Sequence, residues 1–462
     1  MIMHLKEHLP MSLDSTKNLC DFLDASPTGH HAVDNLKAYL HARGALMLDE
    51  REPWKLEPGA MYMVARDEGA LVAFRPGFHP LGDSGYLLAG AHVDSPGLVL
   101  RSGTERLARG MRRLAVDVYG GPILSGWLDR PLSLAGRVMI RREGKLETLL
   151  YNSERAVGIV PNLAIHLNRE INKGMEYNSH VHLPVLVSMG SESTGGPAGK
   201  TLGWIESFLA AELEIDPGSI VGLDLSFHDV QKAVVFGAIK DSSAGHENAA
   251  GSLSGELINS PRLDDLAGCH AILEGFCTSS PGLKTQIACF FDAEEIGSRT
   301  FKGADSNFLG DIIARINLAM KGGAEDLYRA GPRSLCLSVD AAQAWNPAHS
   351  EKYDEPFSPL LGKGPAVKLN VNQKYATDLV SESLFKTICD AGSLPWQKYM
   401  ARADTTPGST IGPISAARLG IRTIDIGHPL LAMHAIRETI HGEDHRIMID
   451  LLKAFYGCAI EF

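Results

Sequence analysis

The sequence predicts an α/β fold: a mixed sheet flanked by helices and interrupted by an inserted, mainly β domain. Three observations lead there. Beyond Ile258, helix-like and strand-like segments alternate, the signature of an α/β sheet. Tyr86 to Ala91 is a short unbroken apolar run, the kind a central strand shows. From about Leu100 to Phe236 the texture changes to short strand-like pieces. At 462 residues the chain also exceeds what one hydrophobic core holds. The division expected is 1–99 with 256–462 outside and 100–255 inside.

The elements follow in order. Residues 12–48 read as two helices, with Ser12 and Asp14 as caps for the first and Thr28-Gly29 before the second. Met61–Ala65 and Leu71–Phe74 read as paired strands around a turn at Asp67-Glu68-Gly69. Inside the insertion, Leu114–Tyr119 and Gly136–Ile140 are strand-like and Asn162–Asn172 is helix-like. Residues 190–203 and 241–255 read as soft loops. Then come a helix at 263–276, strands at 285–291 and 334–339, a helix at 376–391, a strand at 421–426 and a final helix at 447–459.

The composition is that of an ordinary globular protein, 44% hydrophobic and 21% charged. A net charge of −11 argues against nucleic acid or an anionic membrane as a main partner. No apolar stretch is long enough for a transmembrane helix, and the first residues lack the layout of a signal peptide. The seven cysteines have no metal-ligand spacing. Cys269, Cys289 and Cys336 lie in apolar runs and read as core residues. A reducing compartment, the cytoplasm, is expected.

The chemistry is concentrated where strands end. Glu294-Glu295 follows the apolar run Gln286–Phe291 and precedes Gly297. Adjacent side chains at a strand end diverge, so one carboxylate can hold a metal while the other faces a water. His92 and Asp94 follow the run ending at Ala91. Asp264-Asp265 opens a helix, Asp340 ends a strand, and His434 comes shortly after the strand 421–426. Ligand sites in α/β sheets collect at the carboxyl ends of strands. Imidazoles and carboxylates converging there suit divalent ions: zinc foremost, with manganese or cobalt as alternatives.

Longer motifs carry a resemblance. Gly90–Pro96, Tyr119–Gly121, Trp127–Val138, Ile159–Arg169, Arg262–Asp264, Asp292–Ser298, Gly408–Pro413 and Leu431–Glu438 together resemble the M18 metallo-aminopeptidases, of the aspartyl aminopeptidase and vacuolar aminopeptidase I type. The resemblance spans nearly the whole chain. It implies a zinc-exopeptidase-like core carrying two divalent ions, an inserted dimerisation domain, and homodimers that assemble into a homododecamer. It implies hydrolysis of the N-terminal residue from peptides with a free N-terminus. Carried over by position, it assigns His92, Asp264, Glu295, Asp340 and His434 to the metals, with Asp264 bridging them. Glu294 becomes the general base and Asp94 the residue that orients His92. His166 becomes the residue that enters the neighbouring subunit's active site.

The chain departs from the aspartyl type in one place. Relatives of that type follow the aspartate ligand with two histidines, where this chain has Gln343 and Asn346. Whether acidic or neutral N-terminal side chains are preferred therefore stays open, with Lys374 and Arg402 as candidate cations. A metal-dependent carboxypeptidase or deacylase, or an inactive metal-bearing assembly protein, stands as the alternative. Gly195–Thr201 lacks the glycine spacing of a phosphate loop. His441-Gly442-Glu443-Asp444-His445 reads as a solvated turn and helix cap rather than a metal cluster.

Overall fold

Three apolar strands lying side by side in parallel form the middle of the main sheet. Thr285–Phe291 pairs with Tyr86–His92, setting Phe291 beside His92, and Tyr86–His92 pairs in turn with Leu335–Val339. Every residue of the three is buried, which is why they read as continuous rather than alternating apolar runs. The computed structural model describes residues 15–190, 203–237 and 256–458. Ser12, Asp14 and the two loops expected at 190–203 and 241–255 fall outside them, apart from the outermost residues of the first loop. The Gly195–Thr201 run falls outside them too.

The chain divides into two compact units. One comprises 1–94, 233–433 and 438–462; the other comprises 95–232 and 434–437. The larger unit is built on a nine-stranded mixed sheet. Its order is Leu46–Met47, Tyr62–Arg66, Ala70–Arg75, Thr285–Phe291, Tyr86–His92, Leu335–Val339, Arg422–Gly427, Ala366–Lys368 and Gln397–Tyr399. The helices Ser15–Ala25, Gly29–Ala42, Leu263–Thr278, Leu379–Gly392 and Gly442–Tyr456 cover one face, through a core that includes Leu19, Leu36, Leu266, Ile272, Phe385 and Leu451. The helices Phe308–Ala319 and Ile411–Leu419 cover the other through Phe308, Ile312 and Ile411. Successive residues of the central strand serve alternate faces: Leu87 and Ala89 the first, Tyr86 and Leu88 the second.

The run Gly408–Pro413 turns out to be a joint of this scaffold. Thr410 caps its helix and donates to Asp425 Oδ1 at 2.6 Å, and a Cβ on Gly412 would lie 2.3 Å from Asp425 Oδ2. Only glycine fits that approach. The smaller unit is an antiparallel six-stranded sheet, ordered Lys145–Asn152, Leu132–Arg142, Ile220–Asp229, Gly97–Ala108, Met111–Tyr119 and Val185–Met189. Leu98, Trp127, Val138, Phe227 and Ile436 lie in its core.

The structure corrects three expectations. Asn162–Asn172 is not one helix but two short 3-10 turns, Ile165–Leu167 and Ile171–Lys173. Its residues have no buried face to pay for helix nucleation, and its asparagines favour turns. The final helix begins at Gly442, capped by His441, five residues earlier than its apolar periodicity suggests. Asp444 and His445 are accordingly not solvated but wholly buried. Asp444 accepts the amides of Gly362 and Gly364 at 2.7 Å each. Among the described residues no helix is long and apolar enough to cross a membrane.

His445 is the middle of a buried histidine chain. Its Nε2 meets His270 Nδ1 at 2.9 Å and its Nδ1 meets His428 Nε2 at 3.2 Å. Burial pushes His270 down to about 3, His428 down to about 4, and His445 well below the ordinary histidine value. The unfolded chain protonates all three near 6.5, so it binds more protons than the folded chain below that pH. Stability is therefore expected to fall as pH drops from about 6.5 towards about 4, by up to about 1.4 kcal/mol per pH unit for each histidine. Replacing the middle residue (His445→Gln) should flatten this slope. Urea unfolding at about pH 7 and about pH 5 measures it; equal slopes in both proteins would contradict this account.

Candidate metal centre

The three parallel strands end at one edge of the sheet, and the residues just beyond them meet there. His92 ends the middle strand, with Asp94 two residues on. Past Phe291 the chain turns through Ala293, a non-glycine residue in the left-handed region (φ 62°), into the 3-10 turn Glu294–Ile296. Such backbone costs of order 1–3 kcal/mol and persists where the surroundings hold it. Here Asp94 holds it: Oδ1 accepts the amide of Glu294 at 3.0 Å and Oδ2 that of Glu295 at 3.1 Å. Asp340 follows the third strand. Asp264 and Asp265 have non-helical angles at the start of the Leu263–Thr278 helix. Glu438 Oε2 accepts the Asp264 amide at 2.9 Å.

Ligand atoms of His92, Asp264 and Asp340 lie within 4.8 Å of one another, as do those of His92, Glu294 and Glu295. His92 Nδ1 donates to the main-chain carbonyl of Asp94 at 3.0 Å, with the Asp94 carboxylate at 3.5 Å. In the neutral ring, the form that can bind a metal, this leaves the lone pair on Nε2, which lies 3.5 Å from Asp264 Oδ1. His92, Asp264, Asp265 and Asp340 are buried; Glu294 and Glu295 are half-buried.

So many carboxylates out of water disfavour their own charges. Burial, reinforced by the neighbouring carboxylates, pushes Glu294 up to about 7 and Glu295 up to about 9, against the opposing pull of His92. Asp265 and Asp340 are raised by the same causes. Burial pulls His92 down, yet its contacts with Asp264 and Asp94 win and hold it protonated well above the ordinary value. This donor set, rich in carboxylates with an imidazole among them, fits a divalent cation.

Sequence reasoning missed Lys368. It is 2% exposed, its Nζ donates to the Ala341 carbonyl at 3.0 Å and lies 3.4 Å from Asp340 Oδ1. The signal was available, because a lysine within Pro365-Ala366-Val367-Lys368-Leu369 interrupts an apolar strand and a buried charge needs a partner. Of the cations proposed for an acidic side chain, Arg402 is engaged by Asp404 at 2.7 Å. Gln343 accepts the Tyr399 hydroxyl at 3.2 Å, and Asn346 caps a 3-10 turn.

His434 and His166 belong to the smaller unit. His434, also left-handed (φ 67°), donates from Nδ1 to the Gly121 carbonyl at 3.0 Å, which puts its lone pair on Nε2. His166 is exposed on the turn Ile165–Leu167.

The sequence profile of the aminopeptidase I zinc metalloproteases (M18) matches residues 22–456. The chain belongs to the M18 aminopeptidases. A "Probable M18 family aminopeptidase 2" from Clostridium novyi is 39% identical over 95% of this chain and 98% of its own. One of the same name from Ectopseudomonas mendocina is 39% identical over 96% and 97%. Among solved structures, the chain in an Ape4–Nbr1 complex superposes with a TM-score of 0.89 at 32% identity, over 96% of this chain and 85% of that one. The S. cerevisiae mApe1 dodecamer shares the fold, at a TM-score of 0.80 and 24% identity over 96% of both chains. This M18 aminopeptidase is thus a hydrolase of N-terminal peptide bonds, and it uses divalent metal. The carboxypeptidase, deacylase and inactive-assembly readings are not favoured.

Because the carboxylates repel one another, a chelator is expected to lower the melting temperature of this aminopeptidase, and added Zn²⁺ to raise it. An ion at a hundred times its Kd adds about 2.7 kcal/mol. Lys368→Met removes the buried lysine beside Asp340 and should destabilise the metal-free protein by about 3–5 kcal/mol. It should cost the metal-loaded protein less. Calorimetry of both proteins with and without chelator checks this; an equal loss in the two states would show that Lys368 does not counter the carboxylates.

Proposed function

We propose that this M18 aminopeptidase works with two divalent ions, zinc foremost, held by His92, Asp264, Glu295, Asp340 and His434, with Asp264 shared between them. The observation that supports this most is that His92, at the end of a parallel strand, is shared by two groups of ligand atoms, one with Asp264 and Asp340 and one with Glu294 and Glu295. The bound ions supply polarisation of the scissile carbonyl and of the attacking water.

The chain's own residues supply the rest. Glu294 takes the proton of the attacking water and passes it to the departing amine. Asp94 keeps His92 in the Nε2-ligating tautomer and fixes the turn that carries both glutamates. The substrates are peptides with a free N-terminus.

Residues 100–255 are read as the dimerisation domain, and the dimers as units of a homododecamer like that of mApe1. Leu163, Ile165 and Leu167, each about half or more exposed, surround His166 with apolar surface of the kind that interface cores use. His166 then acts in the neighbouring subunit's active site, beside the oxyanion. The cytoplasm is the compartment, in keeping with seven free thiols.

Peptides with a free N-terminus should be cleaved and their N-acetylated forms spared, with activity lost to a chelator and regained with Zn²⁺. Retained activity in protein shown to be metal-free would sink the proposal. Glu294→Gln should keep its metal and lose roughly 10²–10⁴-fold in kcat. Loss of metal instead would exchange the roles of Glu294 and Glu295.

For His166 the test is complementation. His166→Phe and His92→Ala chains, each nearly inactive alone, should regain activity when mixed and allowed to exchange subunits. No recovery after proven exchange would return His166 to its own subunit.

A further inference from the structure

The segment that carries His434 is unusual in where it is fastened. Its flanking strands, Pro429–Leu431 and Glu438–His441, pair with each other in the larger unit. Residues 434–437 nevertheless belong to the smaller unit. Within that unit they are held at three points. The carbonyl of His434 accepts the amide of Ile123 at 2.9 Å, while its ring donates to Gly121. Ile436, 6% exposed, lies in the core against Gly126, where an added Cβ would meet Ile436 Cγ2 at 3.2 Å.

The third point is an ion pair with an uncommonly complete set of partners. Arg437 Nη1 reaches Asp229 Oδ2 at 3.0 Å and the Gln231 carbonyl at 2.9 Å, and Nη2 reaches the Lys232 carbonyl at 3.0 Å. The Arg437 and Asp229 side chains are 7% and 1% exposed. Asp229 ends the strand Ile220–Asp229 and is itself fully engaged: Oδ1 accepts the Gln231 amide at 3.1 Å, and Oδ2 also takes Arg130 at 2.7 Å.

We propose that the Asp229–Arg437 pair is a positioning device for His434: it fixes the turn on which the imidazole stands, and so sets the affinity of the metal centre. This rests on the reading of His434 as a metal ligand. The physical argument is one of preorganisation. His434 sits in left-handed backbone, a conformation that a free six-residue connection between two strands would leave. The hydrogen bond from its ring to Gly121 orients the imidazole but does not hold the main chain. The planar guanidinium, with its donors spread over one carboxylate and two carbonyls, fixes the far end of the turn in direction as well as in distance. Arg130 shares the same carboxylate and donates to the Gly126 carbonyl at 3.3 Å, beside Ile436, but it is not itself part of the turn and bonds none of the turn's main chain. It therefore serves as an internal control.

The experiment titrates metal-free, full-length protein with Co²⁺, following the visible absorption of the bound ion, and then with competing Zn²⁺. Arg437→Met should weaken metal binding about 10- to 100-fold, the range usual for residues that orient a ligand. Arg437→Lys, which keeps the charge but not the fork, should fall between it and the wild type. Arg130→Met should stay within about threefold of wild type, well under the effect expected of an orienting group. Asp229→Asn serves as the second variant should Arg437→Met fail to fold. Equal weakening by Arg130→Met and Arg437→Met would show only a loosened unit and overturn the proposal. Unchanged Co²⁺ affinity and spectrum in Arg437→Met would overturn it too. His434→Ala separates the two levels. If it weakens binding while Arg437→Met does not, the ligand stands and the clamp falls; if it binds as wild type does, the ligand assignment falls and the clamp with it.

Discussion

Like charges crowded out of water govern this molecule. Asp94, Asp264, Asp265, Glu294, Glu295 and Asp340 gather at one sheet edge with His92 and Lys368 as the countercharges. No arrangement of apolar side chains could offset such burial, because an ionised carboxylate loses far more hydration than a leucine gains. Two things make the arrangement tenable: groups that hold a proton well above the ordinary range, and a cation. The fold's task is to keep the carboxylates from escaping to solvent. Parallel strands buried on both faces, with ends in register, do this more firmly than any loop.

Two turns, one in each unit, carry a local cost. Ala293 and His434 both sit in left-handed backbone without being glycine, and each adjoins or is a residue of the proposed chemistry. The two bonds from Asp94 to the glutamate amides and the Arg437 anchor are the visible compensations. Asp94 therefore does more than orient an imidazole. Its carboxylate is spent on the glutamate turn, and its main-chain oxygen makes the shorter contact with His92.

Much of the larger unit was readable because its strands are continuous apolar runs and its chemistry follows their ends. Tyr86–His92 and Thr285–Phe291 needed no tertiary information, and from them the place of His92, Glu294 and Glu295 followed. What could not be read depends on contacts between distant residues. Nothing local marks 434–437 as part of a different unit from the strands on either side. His445 looks polar in sequence, and it is buried because His270, far away in the chain, and His428, 17 residues before it, offer it hydrogen bonds. Lys368 is the opposite case, a buried charge announced by its apolar neighbours and overlooked. The 3-10 turns around His166 defeated a helical reading because helix formation there has no packed face to lean on.

The strand order also has a consequence for synthesis. Tyr86–His92 lies between Thr285–Phe291 and Leu335–Val339, so the middle of the sheet leaves the ribosome first and both its neighbours follow almost two hundred residues or more later. At about 5–20 residues per second the wait is roughly ten to forty seconds. Throughout it, this strand, buried along its whole length in the folded protein, lacks both native neighbours, a state that invites aggregation. The same delay withholds Glu294, Glu295 and Asp340 until most of the chain exists. A ribosome-bound fragment that ends before them thus lacks half of the carboxylates that the finished chain gathers around His92.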